Sequence, residues 1–226
     1  MSFIVAIDGP AGAGKGTITK IVGEKLNLLN VDTGAMYRCV ALQMVRNDIK
    51  IDELDKIKEI LETIDIKLVN KNGINNVFLD GEDVTNKIRT EEISRFASSV
   101  STVKIIREKM VELQRKCGED QNIIMEGRDI GTEVFPNADV KIYLDATSEE
   151  RARRRMIQNE EKGIKCEYEE ILKEIKIRDE RDSTREVSPL KKAEDAILVD
   201  STNMTIEEVV NEIVKIIQNV TENKKR

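Results

Sequence analysis

The stretch Ser2–Thr17, SFIVAIDGPAGAGKGT, decides the fold. Ser2–Asp8 is a short apolar, β-branched run, and such a run stopping abruptly at glycines reads as a buried parallel strand. Gly9-Pro10-Ala11-Gly12-Ala13-Gly14-Lys15-Gly16-Thr17 follows at once, and Lys15–Leu26 has helical character. Strand, glycine-rich loop and helix in that order form a phosphate-binding loop. The glycines let backbone N–H groups wrap a polyphosphate, the helix N-terminus adds positive potential, and Lys15 reaches the β and γ oxygens. The general pattern has Ser or Thr directly after the lysine, whereas Gly16 stands there and Thr17 follows. Thr17 is therefore one residue out of place for direct ligation of Mg²⁺, which leaves contact through water.

Working outward, Asn122–Met125, Val140–Leu144 and Ala196–Val199 also look like buried strands, with helical patterns between them. Thr147-x-x-Glu150 and Thr205-x-x-Glu208 are capping boxes, each just after a strand. Alternation of this kind predicts an α/β fold of the P-loop NTPase type, a parallel sheet covered by helices. Two stretches interrupt it. Ile64–Val69 and Ile74–Leu79 flank NKNG, a hairpin signal through Asn72-Gly73, so residues 62–90 read as a small antiparallel insertion. Residues 151–170 are rich in charge around Gly163 and read as a flap. Thr221–Arg226 reads as a frayed tail. The whole is expected to be one domain, residues 1–226.

Composition narrows the chemistry. The chain of 226 residues has no histidine, which removes Ser–His–Asp and Cys–His nucleophiles, His-ligated zinc and a histidine base. A net charge of −6 argues against a nucleic-acid partner. Cys39, Cys117 and Cys166 are scattered, so a reduced, cytoplasmic setting is expected. No apolar run approaches the ~20 residues of a membrane span, and Phe3–Ile7 is too short for a secretion signal.

Three clusters face the acceptor question. In DTGAMYR (32–38), Thr33 and Arg38 either hold an anion or sugar, or serve as a helix cap and a solvated cation. In EGRDIGT (126–132), Arg128 and Asp129 lie past the carboxyl end of a strand, where α/β sheets bind ligands; an ordinary ion pair is the other reading. Arg178, Asp182 and Arg185 share one helical face, as a phosphate clamp or as a salt-bridge ladder. Arg151, Arg154 and Arg155 open the charged flap, either as solvated surface or as cations that close over ATP. The guanine-reading N-K-x-D signature of GTP switches is absent. A phosphate loop, arginine clusters and no histidine suit phosphoryl transfer to an acceptor that is already an anion, where positioning and charge neutralisation suffice.

The GKGT ending resembles the nucleoside monophosphate kinases. IDGPAGAGKGT, DTGAMYR, IRTEEIS, ASSVS, EGRDIGT, FPNADVKIYLDATSEERARRR, IKIRDERDSTR and LVDST, in that order, closely resemble the bacterial cytidylate kinase family over nearly the whole chain. The resemblance implies transfer from ATP, with Mg²⁺, to CMP or dCMP. Residues 62–90 would be the monophosphate-binding insertion and 151–170 the lid. It assigns cytosine reading to Ser98, Arg107 and Asp129, the sugar region to Thr33 and Asp182, and phosphates to Arg38, Arg128, Arg178 and Arg185. Lys15 and residues 9–17 would hold ATP, and Arg151 and Arg154 would neutralise charge during transfer. Thr33 stands where many relatives have Ser. A monomer is the family default.

Overall fold

The architecture is that of a computed structural model describing residues 2–71, 74–161 and 163–224. β1 (Ile4–Asp8) leads through the loop to α1 (Lys15–Leu26), then β2 (Leu29–Asp32) and α2 (Thr33–Arg46). α3 (Leu54–Thr63) precedes a hairpin of β3 (Ile66–Lys71) and β4 (Ile74–Leu79), with β5 (Glu82–Asp83) on its edge. α4 (Glu91–Val100) and α5 (Lys104–Lys116) return the chain to β6 (Ile123–Gly127). A π turn over Ile130–Val134 follows, then β7 (Val140–Asp145), α6 (Ser148–Glu161), α7 (Tyr168–Thr184), β8 (Ile197–Asp200) and α8 (Ile206–Lys224).

Five strands form one parallel sheet in the order β2-β6-β1-β7-β8. Side chains alternate across it as the pleat requires. Val5, Ile7 and Ile124 pack under α1 and α8, whereas Ala6, Ile123 and Met125 pack with Val111 of α5 and the π turn. β1 lies at the centre, and the chain crosses from β6 on one side of it to β7 on the other. That reversal makes the carboxyl ends of β1 and β6 the place where a cleft opens.

The interruptions are real elements. Strands β3 to β5 form a separate antiparallel sheet over α2 and α4, sharing a core of Met44, Ile57, Val77, Leu79 and Ile88. The hairpin turn read at Asn72-Gly73 lies outside the described residues. The charged flap resolves into a helical hairpin, α6 and α7, held by Ala152, Ile171 and Ile175 and breaking near Gly163, whose φ is +70°. Only one capping box is reciprocal. Thr205 and Glu208 exchange both bonds at the start of α8. Thr147 accepts from the Glu150 amide, but the Glu150 side chain turns to Arg153 and Arg154 instead. The expected frayed tail is in part helix: α8 continues to Lys224, and the Thr221 hydroxyl bonds Ile217. Among the described residues, no helix is long and apolar enough to cross a membrane.

Candidate active site

The phosphate loop begins where β1 runs out of sheet. Gly9 has φ +149°, and a Cβ there would sit 2.0 Å from the Leu144 carbonyl oxygen, so no side chain fits. Gly14 ends the loop at φ 90° and gives α1 no side-chain cap. The first amides of a helix have no partner within it, so those of α1 are left for an anion. Lys15 is buried and donates to the carbonyls of Gly9 and Pro10, both at 2.7 Å, which folds it over its own loop. Burial, and then the nearby Arg128, push its pKa well below the usual lysine range.

Gly16, the departure from the general pattern, has a structural partner. A Cβ at that position would stand 3.0 Å from Oε1 of Glu126, so the glycine leaves room for a carboxylate arriving from β6. Burial and then the Asp32 carboxylate push the Glu126 pKa up to about 7. Nothing in EGRDIGT marks Glu126 as more than a strand end; its neighbour across the sheet makes it part of the site. Glu126, Gly16, Thr17, Asp32 and Arg38 line one end of a cleft of about 700 Å³ that runs on between α1 and the small sheet.

The acceptor side is assembled from α2, α4, α5, the turn after β6, and α7. Asp32 caps α2 at the Ala35 amide and accepts from Arg38 at 2.8 Å. Thr33 donates its hydroxyl to the Glu126 carbonyl at 2.7 Å. Arg107 and Asp129 form a fully buried ion pair. The Arg107 guanidinium also donates to the Ser101 carbonyl and lies 5.5 Å from the centre of the Tyr37 ring. Arg185 approaches Asp129 at 3.7 Å and donates to the Ser188 carbonyl. Asp182 accepts from Arg128 at 3.0 Å, with Arg178 at 4.0 Å. Burial raises the Asp182 pKa, but Arg128 and Arg178 outweigh it and hold the carboxyl below its ordinary value. Ser98 accepts from Arg181 at 3.3 Å.

Thr33, Arg38, Ser98, Arg107, Arg128, Asp129, Arg178, Asp182 and Arg185 are residues the sequence points to; Asp32, Tyr37 and Arg181, and the carbonyls of Ser101, Ser188 and Glu126, are added by the fold. Sequence order separates them; the fold gathers them. The gathering leaves a surplus of donors. Among the described residues six buried side-chain polar atoms make no hydrogen bond, and four are guanidinium nitrogens: Nε of Arg38, Arg107 and Arg178, and Nη2 of Arg185, the last two only at ion-pair distance from Asp182 and Asp129. Unpaired buried donors are costly, so four in one place call for an anion.

Arg151 and Arg154 border the donor side. Arg151 donates to the Ala11 carbonyl in the loop, to Ala146, and bidentately to Asp179. Arg154 grips Glu150 and Ser201, and its Nη1 lies 4.0 Å from where a Cβ of Gly14 would be. The exposed Arg155 joins neither.

A doubly flanked parallel sheet with a phosphate loop at its centre, facing an arginine-lined cleft, defines a small P-loop kinase. One solved structure with this fold is a gluconokinase from Sinorhizobium meliloti 1021, with TM-score 0.53 and 10% identity over 99% of this chain and 95% of that one, a likeness of fold alone. The cytidylate kinase family model matches residues 5–219. The cytidylate kinase of Caldicellulosiruptor saccharolyticus is 50% identical over 219 residues, 97% of each chain. That of Bacillus subtilis is 46% identical over 214 residues, 95% of this chain and 96% of the relative. The chain belongs to the cytidylate kinase family.

Proposed function

We propose that the protein transfers the γ-phosphoryl group of ATP to CMP or dCMP, giving ADP and CDP or dCDP. The observation that carries this reading is the set of buried guanidinium nitrogens without a hydrogen bond on Arg38, Arg107, Arg178 and Arg185, two of which, Arg107 and Arg185, meet at the buried Asp129. Those donors suit a monophosphate and the acceptor edge of a base. The Asp129 carboxylate suits a group that offers hydrogens, as the 4-amino group of cytosine does. Uracil has a carbonyl there and would face a carboxylate with nothing to donate.

In this reading Ser98, Arg107 and Asp129 hold the base, Thr33 and Asp182 the sugar, and Arg38, Arg128, Arg178 and Arg185 the phosphates. Residues 9–17 cradle ATP, with Lys15 leaving the Gly9 and Pro10 carbonyls for its β and γ oxygens. An oxygen of the CMP phosphate forms the new bond to the γ phosphorus while the β–γ bridging oxygen leaves with ADP. The attacking oxygen is already ionised near neutral pH, so no base has to remove a proton. Positioning by the arginines does the work, which fits a chain without histidine. Arg151 and Arg154 supply charge at the loop and anchor the α6–α7 hairpin as a lid. Domain-wise, residues 62–90 serve as the monophosphate-binding insertion of a single kinase domain.

The family implies Mg²⁺, and the donors present fit it through water. Among the described residues no three acidic or sulfur ligands come together. The exposed Thr17 hydroxyl and the Glu126 carboxylate both line the cleft at Gly16 and would hold the ion's waters. When bound with ATP, Mg²⁺ neutralises charge on the β and γ phosphates.

The test is ADP release with CMP, dCMP, UMP, AMP, GMP and shikimate offered separately as acceptors. CMP and dCMP are expected to lead. Equal or faster turnover with an acceptor that lacks cytosine overturns the reading.

A further inference from the structure

Asp8 ends β1 one residue before the phosphate loop, and in sequence it looks like nothing more than the end of a strand. Its side chain is buried and spends both oxygens on another part of the site. Oδ1 accepts from the Ile130 amide at 2.8 Å, and Oδ2 from the Gly131 amide at 2.7 Å. These amides open the π turn that directly follows Asp129. Opening amides of a helical turn have no partner inside it, so one carboxylate here satisfies two orphan donors at once.

The main chain does not do this job. Parallel pairing between β1 and β6 ends at Asp8 opposite Gly127, so Arg128 and Asp129 lie beyond the ladder. Space is tight as well: a Cβ on Gly131 would stand 3.4 Å from Oδ2 of Asp8 and 3.2 Å from the Lys141 stem. The groups facing Asp8 are Lys15 from α1, Asp129 from the turn, and Lys141 and Tyr143 from β7. Burial pushes its pKa up to about 6 although both amides pull the other way. A charge is thus kept where charge is expensive, and the return is the position of the turn.

We infer that Asp8 is a positioning residue for the acceptor: it clamps the turn behind Arg128 and Asp129 and so sets the base-reading carboxylate relative to the phosphate loop. The inference rests on the proposed CMP reading of Asp129.

Asp8→Asn tests it. The amide keeps one acceptor and turns an NH₂ group toward a backbone N–H, so one bond is lost and two donors meet. Steady-state kinetics with CMP, UMP and ATP varied separately should show kcat/KM for CMP falling about tenfold or more, and the preference for CMP over UMP falling with it. The KM for ATP should move by less than about threefold. A KM for ATP that rises as much as that for CMP would place Asp8 in the phosphate loop. A lowered Tm with an unchanged CMP/UMP preference would make it a purely structural residue. Either result overturns the inference. Should that variant not fold, Asp8→Glu is read the same way: it keeps both oxygens on a longer stem, which shifts the turn held through the Ile130 and Gly131 amides. The CMP/UMP preference should fall with the KM for ATP within about threefold; an unchanged preference overturns the inference. Failure of the underlying reading is separately visible, since wild-type protein would then not turn over CMP at all.

Discussion

In the proposed assignment the donor side would take its binding groups from nine consecutive residues, Gly9 to Thr17, while the acceptor side would draw Thr33 and Arg38 from α2, Ser98 from α4, Arg107 from α5, Arg128 and Asp129 from the turn after β6, Asp182 from α7 and Arg185 from just past its end. The first offers mostly backbone amides, whose placement depends on glycine φ values within a few residues. The second offers side-chain charges that neutralise one another across long sequence distances. A loop of amides can therefore change its lysine with little consequence for folding. A buried ion pair cannot lose a partner without leaving an uncompensated charge. Activity and stability should separate on the donor side and move together on the acceptor side.

The largest effect expected is on the donor side. Lys15→Met should lower kcat by a factor on the order of 10²–10³, the usual loss when a preorganised cation is removed from a transferring group. Its Tm should stay within a few degrees of wild type. The pKa of Lys15 is depressed in the folded protein, so at neutral pH, below the ordinary lysine range, its burial costs stability that the substitution returns. The two lost bonds to Gly9 and Pro10 offset part of that return. A large drop in Tm would erase the distinction between the two sides.

Next comes Asp129→Asn. Its amide can turn either face to the base, so the preference for CMP over UMP should collapse by about a hundredfold while the KM for ATP holds. Here stability follows: Arg107 and Arg185 lose their shared carboxylate, and unfolding should become easier by about 3–5 kcal/mol in urea titrations. An Asn variant with altered selectivity but full stability would break the proposed coupling.

The same contrast explains what could be read before the fold was known. The phosphate loop was legible because its chemistry is local: strand, glycines, lysine and helix are contiguous. Arg178 and Asp182 do share a helical face, but α7 ends at Thr184 and leaves Arg185, expected on the same face, in extended backbone just past it; only the fold decides between ladder and clamp. It gives Asp182 to Arg128 from a different element at 3.0 Å and leaves Arg178 at 4.0 Å. Asp8 and Glu126 could not be found that way, since each looks like the last polar residue of a strand. Their roles arise from neighbours more than ninety positions away. Residues 151–170 showed charge and a glycine, and the helices were hidden because their shared core is just a few side chains around Ala152, Ile171 and Ile175.

A smaller effect tests the seam between the two sides. The folded pKa of Glu126 lies near 7, above its unfolded value near 4.5, so its ionised form costs stability at pH 8 and the cost fades as pH falls toward 5. Glu126→Gln should therefore raise stability at pH 8 by about 1–2 kcal/mol, a few degrees in Tm, and by much less at pH 5. The Asp182 carboxyl titrates the opposite way: its pKa is held low, so the stability it adds is present at neutral pH and is lost as pH falls below its ordinary value. Melting curves across pH for Glu126→Gln and wild type separate the two. A pH-independent gain would mean that Glu126 is not the ionised group at the Gly16 junction.

The smallest expected effect is at Thr33, where the acceptor side touches the strand that carries Glu126. Its hydroxyl donates to the Glu126 carbonyl, so the Thr33 oxygen can offer a ligand only its lone pairs. That suits a sugar hydroxyl, which can donate, and does not suit a phosphate oxygen. The side chain is buried, and a Cβ on Gly127 would come within 3.1 Å of its Oγ1, so the oxygen has little room to move. Thr33→Ser keeps the oxygen and its bond and should change kcat/KM for CMP by less than about threefold. Thr33→Val keeps the shape but leaves the Glu126 carbonyl without its donor, and kcat/KM should fall by about tenfold with the KM for ATP unchanged. If Ser and Val behave alike, the Thr33 hydroxyl does no more than tie α2 to β6, and the sugar is held from the α7 side by Asp182 alone.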